Sequence, residues 1–281
     1  MTPPSLSATT TFSLAAVVSW GISDFVGGYG ARRANAFLLT AIAHVSGLLL
    51  MAAMALASGS PFPSGTAVAW ALLAGLSGGG ALAIFYRALA TGRMGLTAPV
   101  AAVLGAAIPT VFGIFREGLP QAVQIIGFLL AAAGIWLISR TEDDSPPEGI
   151  GMAALAGIGF AGFYLCIRQA GDGSAFWLAA TSKVSSFALT GLIVLIGRSA
   201  RQIDRRGVAL GVLAGCLDII GSVLFIRASQ TGRLDAAVVL SSLYPAVTVL
   251  LARLILKEHF TRWKALGMVA ALLAVPMIAW R

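Results

Sequence analysis

Long apolar runs separated by short polar stretches dominate this chain of 281 residues. A helix needs about 20 apolar residues to cross the hydrocarbon core of a bilayer. Ten runs of about that length occur, at 11–30, 36–57, 66–90, 95–115, 120–139, 149–169, 175–197, 207–230, 234–256 and 262–280. Lipid offers no partner to backbone N–H and C=O groups, so each run is predicted to be helical. The runs are too long, and alternate too little, for the strands of a barrel. The pattern predicts an all-α integral membrane protein with ten transmembrane helices.

Composition narrows the class of protein. Hydrophobic residues make up 58% of the chain and charged residues only 11%, against about 25% charged in a typical soluble domain. This excludes a soluble enzyme and a disordered protein. The net charge is +8, but the basic residues are scattered between the apolar runs and form no stripe for nucleic acid. Residues 1–11 lack Lys and Arg, so the first run is predicted to stay as a membrane anchor rather than to be cleaved.

An internal repeat divides the chain into two halves. AFLLTAIAHVS at 36–46 returns as AFWLAATSKVS at 175–185, and FYRALATGR at 85–93 returns as FIRASQTGR at 225–233. The nearly constant offset between the copies and the polar stretch TEDDSPPEG at 141–149 predict five-helix repeats at 1–140 and 150–281, joined by a linker. Because five is odd, the two copies are predicted to cross the membrane in opposite directions, as in secondary transporters with inverted repeats.

Several motifs also resemble a known family. The segment WGISDFV at 20–26, the segment SSLYPAVT at 241–248, and Lys257-Glu258 followed by Gly267 are similar to the EamA family of the drug/metabolite transporter superfamily. The resemblance implies a ten-helix carrier that moves metabolites by alternating access and exports them. Members of the family usually have Asn where this chain has Asp24. The family is often drawn with both termini inside the cell, whereas the basic residues concentrate in the odd-numbered loops and favour both termini outside. The orientation stays open.

Four ionisable residues lie deep in the predicted helices: Asp24, His44, Lys183 and Asp218. A charge there costs roughly 2.5–3.5 kcal/mol on insertion scales, so it needs a partner, water or a function. We predict that the four bind substrate or protons. Lys183 is expected either to pair with Asp218 or to bind a substrate carboxylate. The alternative for the carboxylates is a structural role, and for His44 a hydrogen bond to a hydroxyl such as that of Ser19 or Ser23.

Other residues are predicted to line the site or to end helices. The expected cavity lining consists of aromatic and hydroxyl side chains near these charges, namely Trp20, Phe25, Tyr164, Trp177, Ser241 and Tyr244. Each of these alone is more often a packing or interface residue. Charged residues at helix ends are predicted to be structural, namely Arg87, Arg227, Glu117 and Glu258.

The sequence therefore predicts a multi-pass secondary transporter of the bacterial inner (plasma) membrane, exporting amino acids or related zwitterions. The alternatives are a multidrug or organic-cation efflux carrier and a structural or assembly membrane protein without transport. Motifs of enzymes and of ATP-driven pumps are absent, and Cys166 and Cys216 lie in apolar runs, so neither a metal nor a cofactor is expected. The expected partners are the lipid bilayer, a small-molecule substrate and, as one alternative for the driving force, protons. A monomer and a homodimer are both compatible with the sequence.

Overall fold

The computed structural model describes residues 6–117, 121–139, 148–171, 173–197, 203–231, 237, 240–241, 243–258 and 261–278. Within these ranges the chain forms ten long helices and no strand. They are α1 (Leu6–Ala31), α2 (Ala36–Ala57), α3 (Gly65–Thr91), α4 (Met94–Glu117), α5 (Ala122–Ser139), α6 (Ile150–Gln169), α7 (Ala175–Ile196), α8 (Arg205–Thr231), α9 (Tyr244–Ile255) and α10 (Arg262–Ile278).

Most of the helices coincide closely with the apolar runs of the sequence, and local signals fix several of their ends. The Asn35 side chain accepts hydrogen bonds from the N–H groups of Phe37 and Leu38 at the start of α2, at 2.9 and 3.2 Å, which satisfies donors that have no helical partner. Pro245 lies in the first turn of α9, where its missing N–H costs nothing.

The ninth apolar run and the predicted linker are only partly described. Helix α9 begins at Tyr244, later than the run from 234 predicted, and between 234 and 243 the structure describes only 237, 240, 241 and 243. The linker at 141–149 lies outside the described residues except for its last two.

The surface of the bundle is that of a membrane protein. Five helices (α2, α3, α6, α7 and α8) are long and apolar enough to cross a membrane. Large apolar side chains stand outward, with 75% of Leu195 and 67% of Leu129 exposed. Apolar side chains exposed in such numbers call for a non-aqueous environment. The chain is therefore an all-helical integral membrane protein. The prediction that all ten helices span the membrane stays a prediction.

Small residues bring the central helices close together. A Cβ atom on Gly75 of α3 would overlap the Ser182 carbonyl oxygen of α7, and one on Gly215 of α8 would overlap the Ala43 carbonyl oxygen of α2. In lipid there is no hydrophobic driving force between helices, so close packing of this kind is what holds them together. They hold α2, α3, α7 and α8 together as the centre of the bundle.

Contacts at these crossings recur at equivalent positions of the repeat. The Ser185 hydroxyl donates to the Leu72 carbonyl at 2.7 Å, and the Ser46 hydroxyl donates to the Val212 carbonyl at 3.5 Å. Ser185 is the repeat equivalent of Ser46, and Val212 is that of Leu72. The crossing of α3 with α7 therefore has its counterpart in the crossing of α8 with α2.

Candidate substrate cavity

A cavity lies at the centre of the bundle, among α1, α3, α6, α7, α8 and α9. Its empty volume, which includes space open to the outside, is about 550 Å³. Its polar and charged lining residues are Asp24, Ser182, Lys183, Ser186, Asp218 and Ser222, and its aromatic lining residues are Trp20, Phe160, Phe163, Tyr164 and Tyr244. A concave space with apolar walls and a few convergent polar groups is the usual form of a small-molecule site.

An ion pair joins two adjacent helices in this cavity. The Lys183 ammonium on α7 donates to Asp218 Oδ2 on α8 at 2.5 Å, with 10% and 13% of the two side chains exposed. Each charge is the other's counter-ion, which a buried charge requires. Of the two roles considered for Lys183, the structure therefore shows the pairing with Asp218.

A second carboxylate in the cavity has no such partner. Asp24 on α1 is 6% exposed and lines the same space. Among the described residues none forms a hydrogen bond or an ion pair with it. With Lys183 balanced by Asp218, an ionised Asp24 gives the cavity an uncompensated negative charge. That charge calls for a positively charged group or a proton.

Aromatic rings form one wall of the cavity. The centroid of Trp20 lies 6.5 Å from that of Tyr164 and 6.1 Å from that of Tyr244. The Trp20 indole N–H donates to the Asp218 carbonyl at 3.1 Å, which fixes the ring relative to α8. Ring faces attract cations in water-poor surroundings. The wall therefore favours a positively charged ligand, as an ionised Asp24 does.

Three serines add hydrogen-bond acceptors to the cavity. Ser182, Ser186 and Ser222 all line it. Their hydroxyls donate to backbone carbonyls at 2.8, 2.8 and 3.0 Å, respectively. Since each proton is already engaged, the oxygen lone pairs are what these side chains offer to a ligand. The sequence analysis missed them, although Ser182 and Ser186 lie one helical turn apart on the helix that carries Lys183.

His44 is not part of this lining. It is fully buried, and its Nε2 lies 3.4 Å from the carbonyl oxygen of Gly79 on α3. Its Nδ1 has no hydrogen-bond partner within the described part of the chain. The sequence placed His44 at the depth of Lys183, but the packing puts its ring against the Gly79 carbonyl of α3, and it does not line the cavity. The structure therefore does not support direct contact between His44 and a ligand, and it also shows no bond to Ser19 or Ser23.

Three of the predicted lining residues also lie elsewhere. Phe25 stacks on Tyr29 with centroids 6.2 Å apart. The Trp177 indole donates to the Ser60 carbonyl at 2.9 Å, in the loop between α2 and α3. Ser241 is buried outside the cavity. Trp20, Tyr164 and Tyr244 lie where the sequence predicted them.

The repeated arginines lie at helix ends. Arg87 and Arg227 are exposed, and the hydroxyls of Thr91 and Thr231 donate to their backbone carbonyls at 3.0 and 2.9 Å. The Arg227 guanidinium also lies 5.9 Å from the centre of the Phe176 ring. These positions suit anchoring and capping, as expected for both arginines.

Glu258 bonds to groups on the facing half of the protein. Its carboxylate pairs with Arg32 at 3.1 Å and accepts hydrogen bonds from the N–H groups of Met94 and Gly95. Its partners thus lie at the end of α1 and at the start of α4. The side chain of Glu117, its repeat equivalent, lies outside the described residues.

Fold and cavity together describe a helical membrane protein with charged side chains lining a central cavity. Residues 147–280 match the EamA-like transporter family. The second half of the chain is thus similar to that family, as the motifs predicted.

Two further likenesses accompany the family match. The chain is 32% identical over 76 residues to an uncharacterized protein of Methanocaldococcus jannaschii, and the match covers 27% of this chain and 56% of that protein. The chain thus spans about half the length of this relative. A protein crystal structure resembles the chain with a TM-score of 0.66 and 19% identity, over 96% of each chain. At that identity the likeness shows the fold alone.

Proposed function

We propose that the protein is a secondary transporter that exports small amine-bearing metabolites, amino acids or related zwitterions, across the bacterial inner membrane by alternating access. The observation that carries the proposal is the central cavity, where Asp24, a carboxylate without a partner among the described residues, lines the same space as the ion pair of Lys183 and Asp218. Ionisable groups inside a membrane bundle usually mark a transport pathway. The direction rests on the resemblance to metabolite exporters.

The two halves, 1–140 and 150–281, are proposed to be inverted repeats about the cavity. Paired contacts support this. The Ser77 hydroxyl of α3 donates to the Gly159 carbonyl of α6 at 2.8 Å, and the Ser19 hydroxyl of α1 donates to the Leu217 carbonyl of α8 at 2.7 Å. Leu217 is the repeat equivalent of Ser77, and Gly159 is that of Ser19. Helix α1 thus meets α8 at positions equivalent to those where α6 meets α3.

We propose a partner in the lining for each end of a zwitterion. Its ammonium group would bind Asp24, with the faces of Trp20 and Tyr164 beside it. Its carboxylate would share the Lys183 ammonium with Asp218. The serine oxygens would accept the remaining N–H protons of the ligand. In this arrangement Asp24 and the ligand ammonium neutralise each other, whereas Lys183 faces two carboxylates. One of those two carboxylates can hold a proton.

An ionised Asp24 would also favour a second candidate, an organic cation. A monovalent cation at Asp24 would neutralise the cavity without any proton, and the aromatic wall would accept a quaternary ammonium group. When neither ligand is bound, a proton on Asp24 can neutralise the carboxylate instead. Proton exchange is therefore part of the proposal, and the protein would use no cofactor and catalyse no reaction.

Flux into vesicles that contain the purified protein tests the function. We expect uptake of radiolabelled amino acids, lost in Asp24→Asn by at least tenfold and partly kept in Asp24→Glu. Trp177→Phe is the matched control, because that indole lies outside the cavity. Flux of tetraethylammonium without amino-acid flux would favour the organic-cation carrier. Absence of flux for amino acids, sugars, nucleosides and organic cations alike would contradict transport and favour a structural or assembly role.

Thiol labelling tests the inverted repeat. Ser58 follows α2 and Gly197 follows α7, and the two occupy equivalent positions of the repeat. In a version without native cysteines (Cys166→Ala, Cys216→Ala), Ser58→Cys and Gly197→Cys should react with an impermeant maleimide from opposite sides of the membrane. Labelling of both from the same side would contradict the inverted arrangement.

A further inference from the structure

The Glu258 side chain joins the two halves of the protein at one end of the bundle. Its Oε1 accepts hydrogen bonds from Arg32 Nη2 at 3.1 Å and from the Met94 N–H at 3.2 Å, and its Oε2 accepts one from the Gly95 N–H at 3.2 Å. The carboxylate therefore caps the first turn of α4, whose N–H groups have no helical partner. Glu258 follows α9 in the second half, whereas its three partners belong to the first.

The backbone before Glu258 is held in a conformation that its residue disfavours. Lys257 has a φ of 53°, and it is the one non-glycine residue with positive φ in the described ranges. The N–H groups of Leu256 and Glu258 both donate to the Ala252 carbonyl, at 3.1 and 3.3 Å. Glycine usually occupies the left-handed position of such a turn. Strained positions of this kind concentrate at switch regions, and here the turn aims Glu258 at the other half.

This end of the bundle is closed. Between the cavity and Glu258, the side chains of Tyr86, Leu89 and Met94 are fully buried. They pack on two glycines of α1: a Cβ on Gly27 would overlap the Tyr86 ring, and a Cβ on Gly28 would lie 2.6 Å from Leu89 Cβ and 3.0 Å from Met94 Cε. A ligand in the cavity cannot leave this way unless α1, α3 and α4 move relative to one another.

We propose that Glu258 is a latch that keeps this end of the cavity closed and that releases Arg32 and α4 when the cavity opens here. This inference rests on the alternating access proposed above, because only a carrier that opens at both ends needs such a release. The three bonds join the halves, so a movement that separates the halves at this end must break them. When this end closes again, one ion pair and two capping hydrogen bonds re-form and stabilise the closed state.

The repeat makes the latch specific to one end. Glu117 occupies the position equivalent to Glu258, and Lys257 has its equivalent in Arg116. The repeat offset places Gly171 or Asp172 at the position of Arg32, so the second copy has no basic residue there. We expect the other end to close without a salt bridge of this kind, so that the resting carrier is closed at the Glu258 end.

A cysteine in the cavity reports on the latch without any knowledge of the substrate. The reporter is Ser222→Cys, at a position that lines the cavity. It is introduced into the version without native cysteines, and the protein is placed in vesicles in either orientation. An impermeant maleimide is applied from the Glu258 side. We expect Glu258→Ala and Arg32→Ala to raise the labelling rate at least fivefold. The control is Arg253→Gln, an exposed arginine in the last turn of α9, which should leave the rate unchanged. Equal rates in the latch variants and their parent would overturn the latch.

A cross-link covers the case in which the latch variants fold poorly. Arg32→Cys combined with Glu258→Cys should be joined by a short bis-methanethiosulfonate cross-linker, because the arginine and glutamate side chains together span more than a disulfide can bridge, and the reporter should then be labelled from the opposite side only. Reduction should restore the parent's labelling pattern. No cross-link, or a cross-linked protein still labelled from the Glu258 side, would overturn the proposal.

The same labelling separates failure of the latch from failure of the transport proposal. A reporter reached from one side only, in the parent and in every latch variant, would contradict alternating access itself. A reporter reached from both sides, at rates that the latch variants leave unchanged, would contradict the latch and leave transport standing.

Discussion

The ion pair of Lys183 and Asp218 allows stability and transport to be separated in one experiment. Asp218→Asn removes the carboxylate and leaves the ammonium without its counter-ion, and Lys183→Met does the reverse. Breaking a buried pair on one side costs about 3–5 kcal/mol, because a charge is left uncompensated. Both side chains keep some exposure to the cavity, 10% and 13%, so we take about 3 kcal/mol for each single variant.

The double variant Lys183→Met/Asp218→Asn leaves no orphaned charge. We therefore expect it to lose about 1–2 kcal/mol rather than the sum of the two single losses, since a neutral replacement of a buried pair is often tolerated. The measurement is the thermal unfolding midpoint in detergent, followed by tryptophan fluorescence. At about 2–4 °C per kcal/mol, each single variant should melt roughly 6–12 °C below the wild type, and the double variant less far below.

Among the two single variants and the double variant, the loss of flux should not parallel the loss of stability. If Lys183 and Asp218 handle the substrate, all three variants lose flux while remaining inserted and folded, and the double variant regains stability only. Additive losses of stability, measured as a double-mutant cycle, would refute the reasoning about charge compensation. A double variant with wild-type flux would leave the pair with a structural role alone.

Three further predictions rest on packing. Gly75→Ala should destabilise the protein by about 1–3 kcal/mol, because its methyl group would meet the backbone of α7; Gly191→Ala, whose methyl group meets nothing within 4 Å, should be neutral or stabilising in the same unfolding assay. His44→Asn should lower the unfolding midpoint and leave the apparent substrate affinity within twofold, and a tenfold loss of affinity would instead place His44 in the site. Trp177→Phe should cost about 1 kcal/mol for its lost hydrogen bond with unchanged flux, and loss of flux at full stability would extend the site to that loop.

The sequence by itself determined the helices, the repeat and the key charges. The bounds of α8 were predicted closely, because the length of an apolar run is a local property set by the bilayer. Asp218 falls at the middle of that helix both in the sequence prediction and in the structure. The order of the helices also pointed to Lys183, on the helix before Asp218, as its counter-charge. The family resemblance also came from motifs that are contiguous in the sequence.

Only the tertiary structure decided which way each side chain faces. In lipid, both the outer and the inner faces of a helix are apolar, so periodicity carries little information on rotation about the helix axis. This is why the sequence could not distinguish the cavity residue Trp20 from Phe25. It is also why the sequence could not show that His44, equivalent to Lys183 in the repeat, packs against the Gly79 carbonyl of α3. That Asp24 has no partner in the described part of the chain depends on all the helices packed around it. Glu258 reaches an N–H group 164 residues away in sequence, and no local pattern records a contact that exists only after ten helices have packed.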